Sequence, residues 1–459
     1  MDADGLPAGE MPGFINGPKG ARLLEGLYGP DGLGAARARY LGLVRGASPE
    51  AGFPGGGLAT GGKLRLFCAP GRTELGGNHT DHNRGRVLAA SVQLDAAAAV
   101  AKLEGGRVFI RSAGFPDTLV ELAGEDGGLG LSPRPEERGT IAALVRGIAA
   151  GFAARGARVG GFAANVASDV PQGAGLSSSA MLEVLVAKIL DCLYAGGRFS
   201  GVELAKIGRE AENVFFGKPC GLMDQVACAS GGAVAIDFAD PETPDVKKIA
   251  FDPLAAGFAL CVVDTGGSHA DLTPDYASVP GEMRAVAGFF GKGFLRELEL
   301  SEVLAGAAAV RKATGDRALL RAIHFFNENR RVGEMAARLE KLEAAGEGSE
   351  KREAMGGFLD LVNESGDSSW ELLQNVYSPA NPAGQGVSLA LAVSREFFRA
   401  EGIRAACRVH GGGFAGTIQA YVPLEALGEY SARMDGLFGP GALTVLRIRP
   451  VGAVELRPD

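Results

Sequence analysis

Three short stretches of this chain concentrate the residue types from which a reaction centre is built. Pro171-Gln172-Gly173-Ala174-Gly175-Leu176-Ser177-Ser178-Ser179-Ala180 joins a glycine-rich turn to three consecutive hydroxyls, and an apolar-periodic run (Met181, Leu182, Val184, Leu185, Leu190) starts at once. Glycines let backbone N–H groups close around an anion without Cβ obstruction, and the free N–H groups and dipole of a new helix favour negative charge there. A polyphosphate is the natural tenant. The plain alternative is a capped helix start, for which one serine suffices.

The second stretch, Gly71-Arg72-Thr73-Glu74-Leu75-Gly76-Gly77-Asn78-His79-Thr80-Asp81-His82-Asn83, mixes donors and acceptors as a hydroxyl-rich ligand requires. Two other readings stay open. His79, Asp81 and His82 are metal-ligand types, although no helical His spacing or third cluster completes a set, and the segment also reads as a polar surface turn. The third stretch is Pro219-Cys220-Gly221-Leu222-Met223-Asp224-Gln225, preceded by an acidic helix carrying Glu210 and Glu212. Asp224 lies among uncharged residues and needs a cationic partner, for which Arg72 is the candidate.

Two familiar patterns fail on context. Gly57 to Leu64 nearly spells a Walker A loop, but Leu64 stands where a magnesium-binding hydroxyl belongs. Gly411-Gly412-Gly413-Phe414-Ala415-Gly416 fits G-x-G-x-x-G but falls between two strands, with no helix N-terminus to offer a pyrophosphate.

The elements that must position these stretches follow from periodicity. Lys63–Cys68 reads as a strand followed by a polar loop to Arg84. Further strands are expected at Val87–Leu103, Arg107–Ser112, Leu119–Leu122, Gly161–Ala167, Ala233–Phe238 and Phe258–Val263. Helices are expected at Thr140–Ala154, Ala174–Tyr194 and Gly201–Phe216. Residues 280–361 read as mostly helical, and the closing part alternates helix, strand, glycine turn, strand, helix and strand. A soft boundary near Ala239 divides an N-terminal unit, 61–238, from a C-terminal one, 239–459. Residues 1–60 read as an extension packed on the body, with a short helix at Gly34–Val44 and a frayed end.

At 459 residues, 46% hydrophobic and 22% charged, the chain has room for two cores. A formal net charge of −8 argues against nucleic acid or an anionic membrane surface as partner. The six scattered cysteines form no C-x-x-C pair and read as reduced thiols of a cytoplasmic protein, and no signal peptide or membrane span is expected. Cys220, His324 and Trp370 take packing roles, and His269 reads as a loop histidine.

Together with Arg408 to Gly416, the three stretches resemble the sugar-kinase branch of the GHMP kinases, most closely the galactokinase family, in register from about Leu64 to Val422. The resemblance implies a two-domain α+β GHMP kinase fold. It has a ribosomal-protein-like N-terminal domain, a ferredoxin-like C-terminal domain and the active site in the cleft between them. It implies transfer of the γ-phosphoryl group of ATP, with Mg2+, to the anomeric C1 hydroxyl of galactose, by a monomer that binds a small-molecule sugar and ATP.

Carried over by position, Asp224 is the base or orienting anion, and Arg72 holds it ionised. Gly173, Ala174, Gly175, Leu176, Ser177, Ser178 and Ser179 surround the phosphates, and Ser179 and Glu212 hold magnesium. Asn78, His79, Asp81, Gly221, Asp224 and Tyr276 contact the sugar. The chain departs from the family pattern at Asn78, normally Glu, at Glu74, normally Asn, at Gly76, normally Ile, and at His82, normally Tyr. A neutral residue at position 78 also tolerates a C6 carboxylate, as in the related galacturonate kinases. A non-catalytic, galactokinase-like sugar sensor is the alternative of a different class.

Overall fold

The computed structural model of the chain describes residues 5–48, 52–53, 62–124, 128–171, 175–267, 272–346 and 349–457. Thirteen strands are found among them: β1 (Leu6–Pro7), β2 (Lys63–Gly76), β3 (Arg86–Leu103), β4 (Arg107–Ser112), β5 (Thr118–Glu121), β6 (Gly161–Ser168), β7 (Ala233–Asp237), β8 (Asp245–Ile249), β9 (Phe258–Asp264), β10 (Ala406–Val409), β11 (Thr417–Pro423), β12 (Leu443–Leu446) and β13 (Val454–Leu456). They form a nine-stranded sheet in the order β1-β2-β3-β6-β4-β5, with β13 paired to β2 and the β7–β8 hairpin paired to β3. A separate four-stranded sheet has the order β10-β11-β9-β12.

The long strand β3 organises the first sheet. Its run Ala96-Ala97-Ala98-Ala99-Val100-Ala101 is buried on both faces, so it shows no polar alternation. Ala96, Ala98 and Val100 face the core built on helices Ile141–Ala154 and Ser178–Leu190. Ala97, Ala99 and Ala101 face a second core made by the N-terminal helices. Those helices, Met11–Asn16 and Pro18–Gly46, pack on the body as expected of the extension but are longer than the single short helix at Gly34–Val44, and residues 1–4 lie outside the described residues. The reason lies in the sheet: Leu66, Cys68, Ala97, Ala99, Phe109 and Ala163 form an apolar back that Leu24, Leu27, Tyr40 and Leu43 cover.

Two further expectations are corrected. Strand β2 does not end at Cys68, because β3 is long enough to pair with it to the far end, with Arg72 opposite Ser91 and Glu74 opposite Ala89. The polar loop is thereby confined to residues 77–85. A boundary near Ala239 would cut the β7–β8 hairpin, in which Ala233 pairs with Ile249 and Asp237 with Asp245. The first sheet therefore extends to Ile249, and β13 returns to it from the chain's end.

Strand β9 repeats the two-faced pattern in the second sheet. Ala259, Cys261 and Val263 pack beneath helices Gly386–Ala400 and Leu427–Phe438. Leu260 and Val262 join the main core through Phe358 and Tyr421. No helix among the described residues is long and apolar enough to cross a membrane.

A buried polar knot fastens the N-terminal layer. The Asp95 carboxylate on β3, fully buried, accepts from Tyr28 Oη at 2.7 Å, Arg39 Nη2 at 2.5 Å and Arg449 Nη1 at 2.5 Å. Removing the acid leaves Arg449 without its carboxylate in a low-dielectric interior and Arg39 with Asp169 alone. Asp95→Ala should therefore cost about 3–5 kcal/mol in chemical denaturation. Breaking the exposed Lys247–Glu340 pair by Lys247→Ala should cost less than about 1 kcal/mol.

Candidate active site

Arg72, Asp224 and Ser177 come from three distant segments and meet. Arg72 on β2 donates Nε to Asp224 Oδ1 at 2.7 Å and Nη2 to Asp224 Oδ2 at 2.9 Å, a two-pronged ion pair. Its Nη1 donates to the Gly175 carbonyl. Asp224 sits in the first turn of helix Met223–Ser230, with a third of its side chain open. Burial alone would raise its pKa. The Arg72 charge and hydrogen bonds, helped by Ser177 and Lys218, outweigh that and hold it below the usual carboxylate range.

Ser177 precedes helix Ser178–Leu190 in the left-handed conformation (φ 58°, ψ 55°), unusual for a residue with a side chain. Its hydroxyl caps nothing in that helix and donates instead to Asp224 Oδ2. Left-handed strain at an uncapped helix start is bearable where the surroundings over-determine it, as the Asp224 contact does here. The helix begins at Ser178, four residues later than expected, and its first N–H groups are left for a ligand.

Beside this lies an acidic group. Ser179 Oγ is 2.8 Å from Glu183 Oε1 and 3.0 Å from Glu212 Oε1, and Gln225 Nε2 donates to Glu183 Oε2 at 3.0 Å and Glu212 Oε2 at 3.1 Å. Lys218 Nζ stands 3.3 Å from Glu212 Oε1. Burial and the neighbouring Glu212 charge push the Glu183 carboxyl up to about 8. Glu183 so raised holds its proton near neutral pH while Lys218 offsets Glu212, and the carboxyl oxygens are the hard donors that suit a small divalent cation taking that proton's place.

The turn after β2 carries His79 and Asp81. Asp81 Oδ2 lies where a side chain on Gly221 would be, 1.8 Å from the ideal Cβ position, so only glycine lets the carboxylate approach the backbone there. His79 (φ 59°) lies 2.9 Å through Nε2 from the Gly412 carbonyl. That oxygen can only accept, so Nε2 carries the proton and Nδ1 is the ring's acceptor. Burial, aided by the nearby His82, His324 and Arg321, drives the His79 pKa down to about 3 and keeps the ring neutral.

Tyr276, on helix Thr273–Phe289, donates its hydroxyl to the Gly413 carbonyl at 3.1 Å and packs edge-on to Phe414. The carbonyls of Gly411, Gly412 and Gly413 thus tie down Asn78, His79 and Tyr276. That accounts for a glycine turn between two strands.

Asn78 behaves differently from a sugar contact. It is fully buried, and its Nδ2 donates to Gly411 O at 2.6 Å and to Glu74 Oε1 at 3.1 Å, while its Oδ1 accepts from Asn375 Nδ2 at 2.7 Å. The amide faces the interior and not the cleft. Glu74 in turn pairs with the fully buried Arg408 at 2.5 Å. Gly173, Ala174, His269 and most of the Walker-like stretch lie outside the described residues. His79 and His82 rings are 6.0 Å apart, yet no group of three His, Cys, Asp or Glu among the described residues forms a metal site.

Cys220 is half-buried, with its thiol pKa pushed up by burial and by Glu212. Trp370 packs at the edge of the second-sheet core under Arg395. Glu183, Asn375, His324 and Glu328 touch this region although the sequence showed no part for them in it, and Gln225, within the third stretch, bridges the two acids. Glu183 was detectable as the residue one helical turn beyond Ser179.

The fold is that of a GHMP kinase. Residues 143–232, which hold the serine-rich helix start, Glu212 and Asp224, match the GHMP kinases N terminal domain. Residues 59–102 match the galactokinase galactose-binding signature. The galactokinase of Streptomyces coelicolor is 34% identical over 278 residues, covering 60% of this chain and 69% of that protein. The chain belongs to the galactokinase family.

Among solved structures, Lactococcus lactis galactokinase complexed with galactose superposes with a TM-score of 0.69 at 22% identity, over 86% of this chain and 96% of that one. Streptococcus pneumoniae phosphomevalonate kinase in complex with phosphomevalonate and AMPPNP gives 0.55 at 13% identity, over 83% and 98% of the two chains. These two likenesses concern the fold.

Three imidazoles in or beside the site, His79, His324 and His410, have pKa values lowered by burial. Each takes up a proton in the unfolded chain below about pH 6.5 that the folded chain refuses, so stability should fall as pH drops through that value. Glu183 acts oppositely, binding a proton in the folded state between its ordinary value and about 8. Glu74 and Asp169, raised by burial, act in the same sense as Glu183, but the three imidazoles are the groups whose unfolded-chain value falls at the top of the pH 5 to 6.5 window, so their loss sets the slope there. The melting temperature should decline from pH 6.5 to pH 5, and calorimetry in that range checks the sign.

Proposed function

We propose that the protein transfers the γ-phosphoryl group of ATP to the anomeric C1 hydroxyl of galactose, giving galactose 1-phosphate and ADP. The observation that carries this reading is the Arg72–Asp224 ion pair standing between the serine-rich helix start and the turn that bears Asp81 and His79. A phosphate tail on one side and a sugar on the other would meet at that carboxylate.

Asp224 is held ionised and is therefore a weak base. It orients the sugar hydroxyl and accepts its proton late, as the bond to phosphorus forms. Ser177 fixes one carboxylate oxygen and Arg72 both, so the acceptor geometry is set before the substrate arrives. Arg72 also offsets charge on the transferring group. The resemblance assigns the phosphates to the segment from Gly173 through Ser179, of which Gly175 to Ser179 lead into the helix start described above.

Ser179 and Glu212, with Glu183 alongside, would hold Mg2+, which neutralises charge on the phosphate oxygens when bound. Asp81, His79, Gly221 and Tyr276 line the sugar side. Action as a monomer is part of the same reading, and free cysteines fit a cytoplasmic setting.

A second reading concerns the sugar. The position that carries an acid in the resemblance holds a neutral Asn78 whose amide is engaged internally, so a C6 carboxylate would meet no charge from it. ADP release measured over galactose, its 6-deoxy form and galacturonate separates the two, and faster turnover of the uronic acid would replace galactose as the substrate.

Asp224→Ala should lower kcat by about 10²–10⁴-fold while galactose binding survives. Sugar binding without turnover in the unaltered protein would instead mark a sensor. Glu212→Gln should raise the Mg2+ concentration for half-maximal rate roughly tenfold or more.

A further inference from the structure

The turn that carries His79 and Asp81 is held from behind by one face of a helix outside every motif described above. Helix Asp316–Ala344 presents Glu328, whose Oε1 accepts the Gly77 backbone N–H at 3.0 Å. One turn earlier, His324 Nε2 lies 2.9 Å from the Asn78 carbonyl, and since that oxygen only accepts, the ring donates. The adjacent Asn329 accepts the Arg86 N–H at 2.8 Å where the chain leaves the turn. The consecutive Gly77 N–H and Asn78 carbonyl are thus held by side chains four apart on one helix, and the Arg86 N–H by the residue next to Glu328.

Simple packing needs none of this. Glu328 is fully buried, and its charge is maintained by Arg331 and by the Ser365 hydroxyl at 2.6 Å. Burial would raise its pKa, but Arg331, His324 and Arg408 bring it down to about 2. His324 is also fully buried, and its Nδ1 meets the Ser368 hydroxyl at 2.9 Å. The backbone they hold is strained, with Gly77 at φ 96° and His79 at φ 59°. A left-handed histidine persists only where neighbours restrain it.

We propose that Glu328 and His324 are positioning residues for the sugar side of the site, clamping the turn 77–85 so that Asp81 and His79 are set before the sugar binds. The inference rests on the proposed galactokinase reading for its kinetic part only. Loss of one charged hydrogen bond to the turn is worth roughly a tenfold effect or more.

The test compares Glu328→Met, which removes the acceptor, with Glu328→Gln, which restores a neutral one. Glu328→Met should raise KM for galactose roughly tenfold while KM for ATP stays within about twofold, and Glu328→Gln should recover most of the loss. Amide hydrogen exchange over residues 77–86 should quicken in Glu328→Met and leave the segment around Asp224 unchanged.

Equal rises in both KM values, or unchanged exchange in the turn, would overturn the proposal. Should Glu328→Met fail to fold, His324→Leu is read by the same two measurements. If the unaltered protein phosphorylates no galactose, the kinase reading fails, and the exchange comparison still decides the clamp.

Discussion

The Arg72–Asp224 ion pair is the contact on which the arrangement of this molecule turns. It joins β2 to the helix that follows the glycine-cysteine segment, and through Ser177 it reaches the start of the phosphate-side helix. Two residues along β2, on the same face, Glu74 reaches the opposite way to Arg408 on β10. A strand's two-residue period therefore lets one short segment grip the Asp224 helix with one side chain and the second sheet with the next. Both pairs are charged and largely buried, so each holds only while both partners are present. The cleft is in this sense anchored along a single strand.

Much of the site was legible because its chemistry is compressed into short runs. Arg72, Asp224 and Ser177–Ser179 announce themselves by residue type. The need of an isolated Asp224 for a cation already pointed to Arg72. Secondary structure read well where one face was apolar and the other polar, as in helix Ile141–Ala154, capped by Thr140. It failed where burial was two-sided. The polar tail of β2 looked like a loop because its charged side chains pair inside the protein and do not face water.

The N-terminal helices were underestimated because nothing in residues 1–60 reveals that the sheet has a second apolar face. The alternating core assignments of Ala96 to Ala101 exist only once the strand is in place. Glu328 and His324 were hidden for a related reason. Polar residues at helical spacing on a face that also bears Phe325, Val332 and Met335 are a signal, but which backbone they serve depends on the tertiary fold.

The unusual pair at positions 74 and 78 gains a physical meaning from the structure. Relative to the pattern the chain resembles, acid and amide have traded places, and the two side chains touch, with Asn78 Nδ2 3.1 Å from Glu74 Oε1. The negative charge stands at position 74, against Arg408. Its burial raises the pKa of Glu74 even against that arginine. The exchange keeps an acid and an amide in contact inside the protein, with the acid against Arg408 and the amide against Gly411 and Asn375.

The two-sided burial of β3 bears on how far the polypeptide can be pared down. All motif residues lie beyond position 63, so an engineer seeking a minimal version would trim everything before it. The trimmed protein would carry an intact set of reactive groups on a sheet whose rear, from Leu66 to Ala163, lay bare and sticky. Such a fragment would clump before it could be assayed, and inactivity in it would report on solubility, not on chemistry.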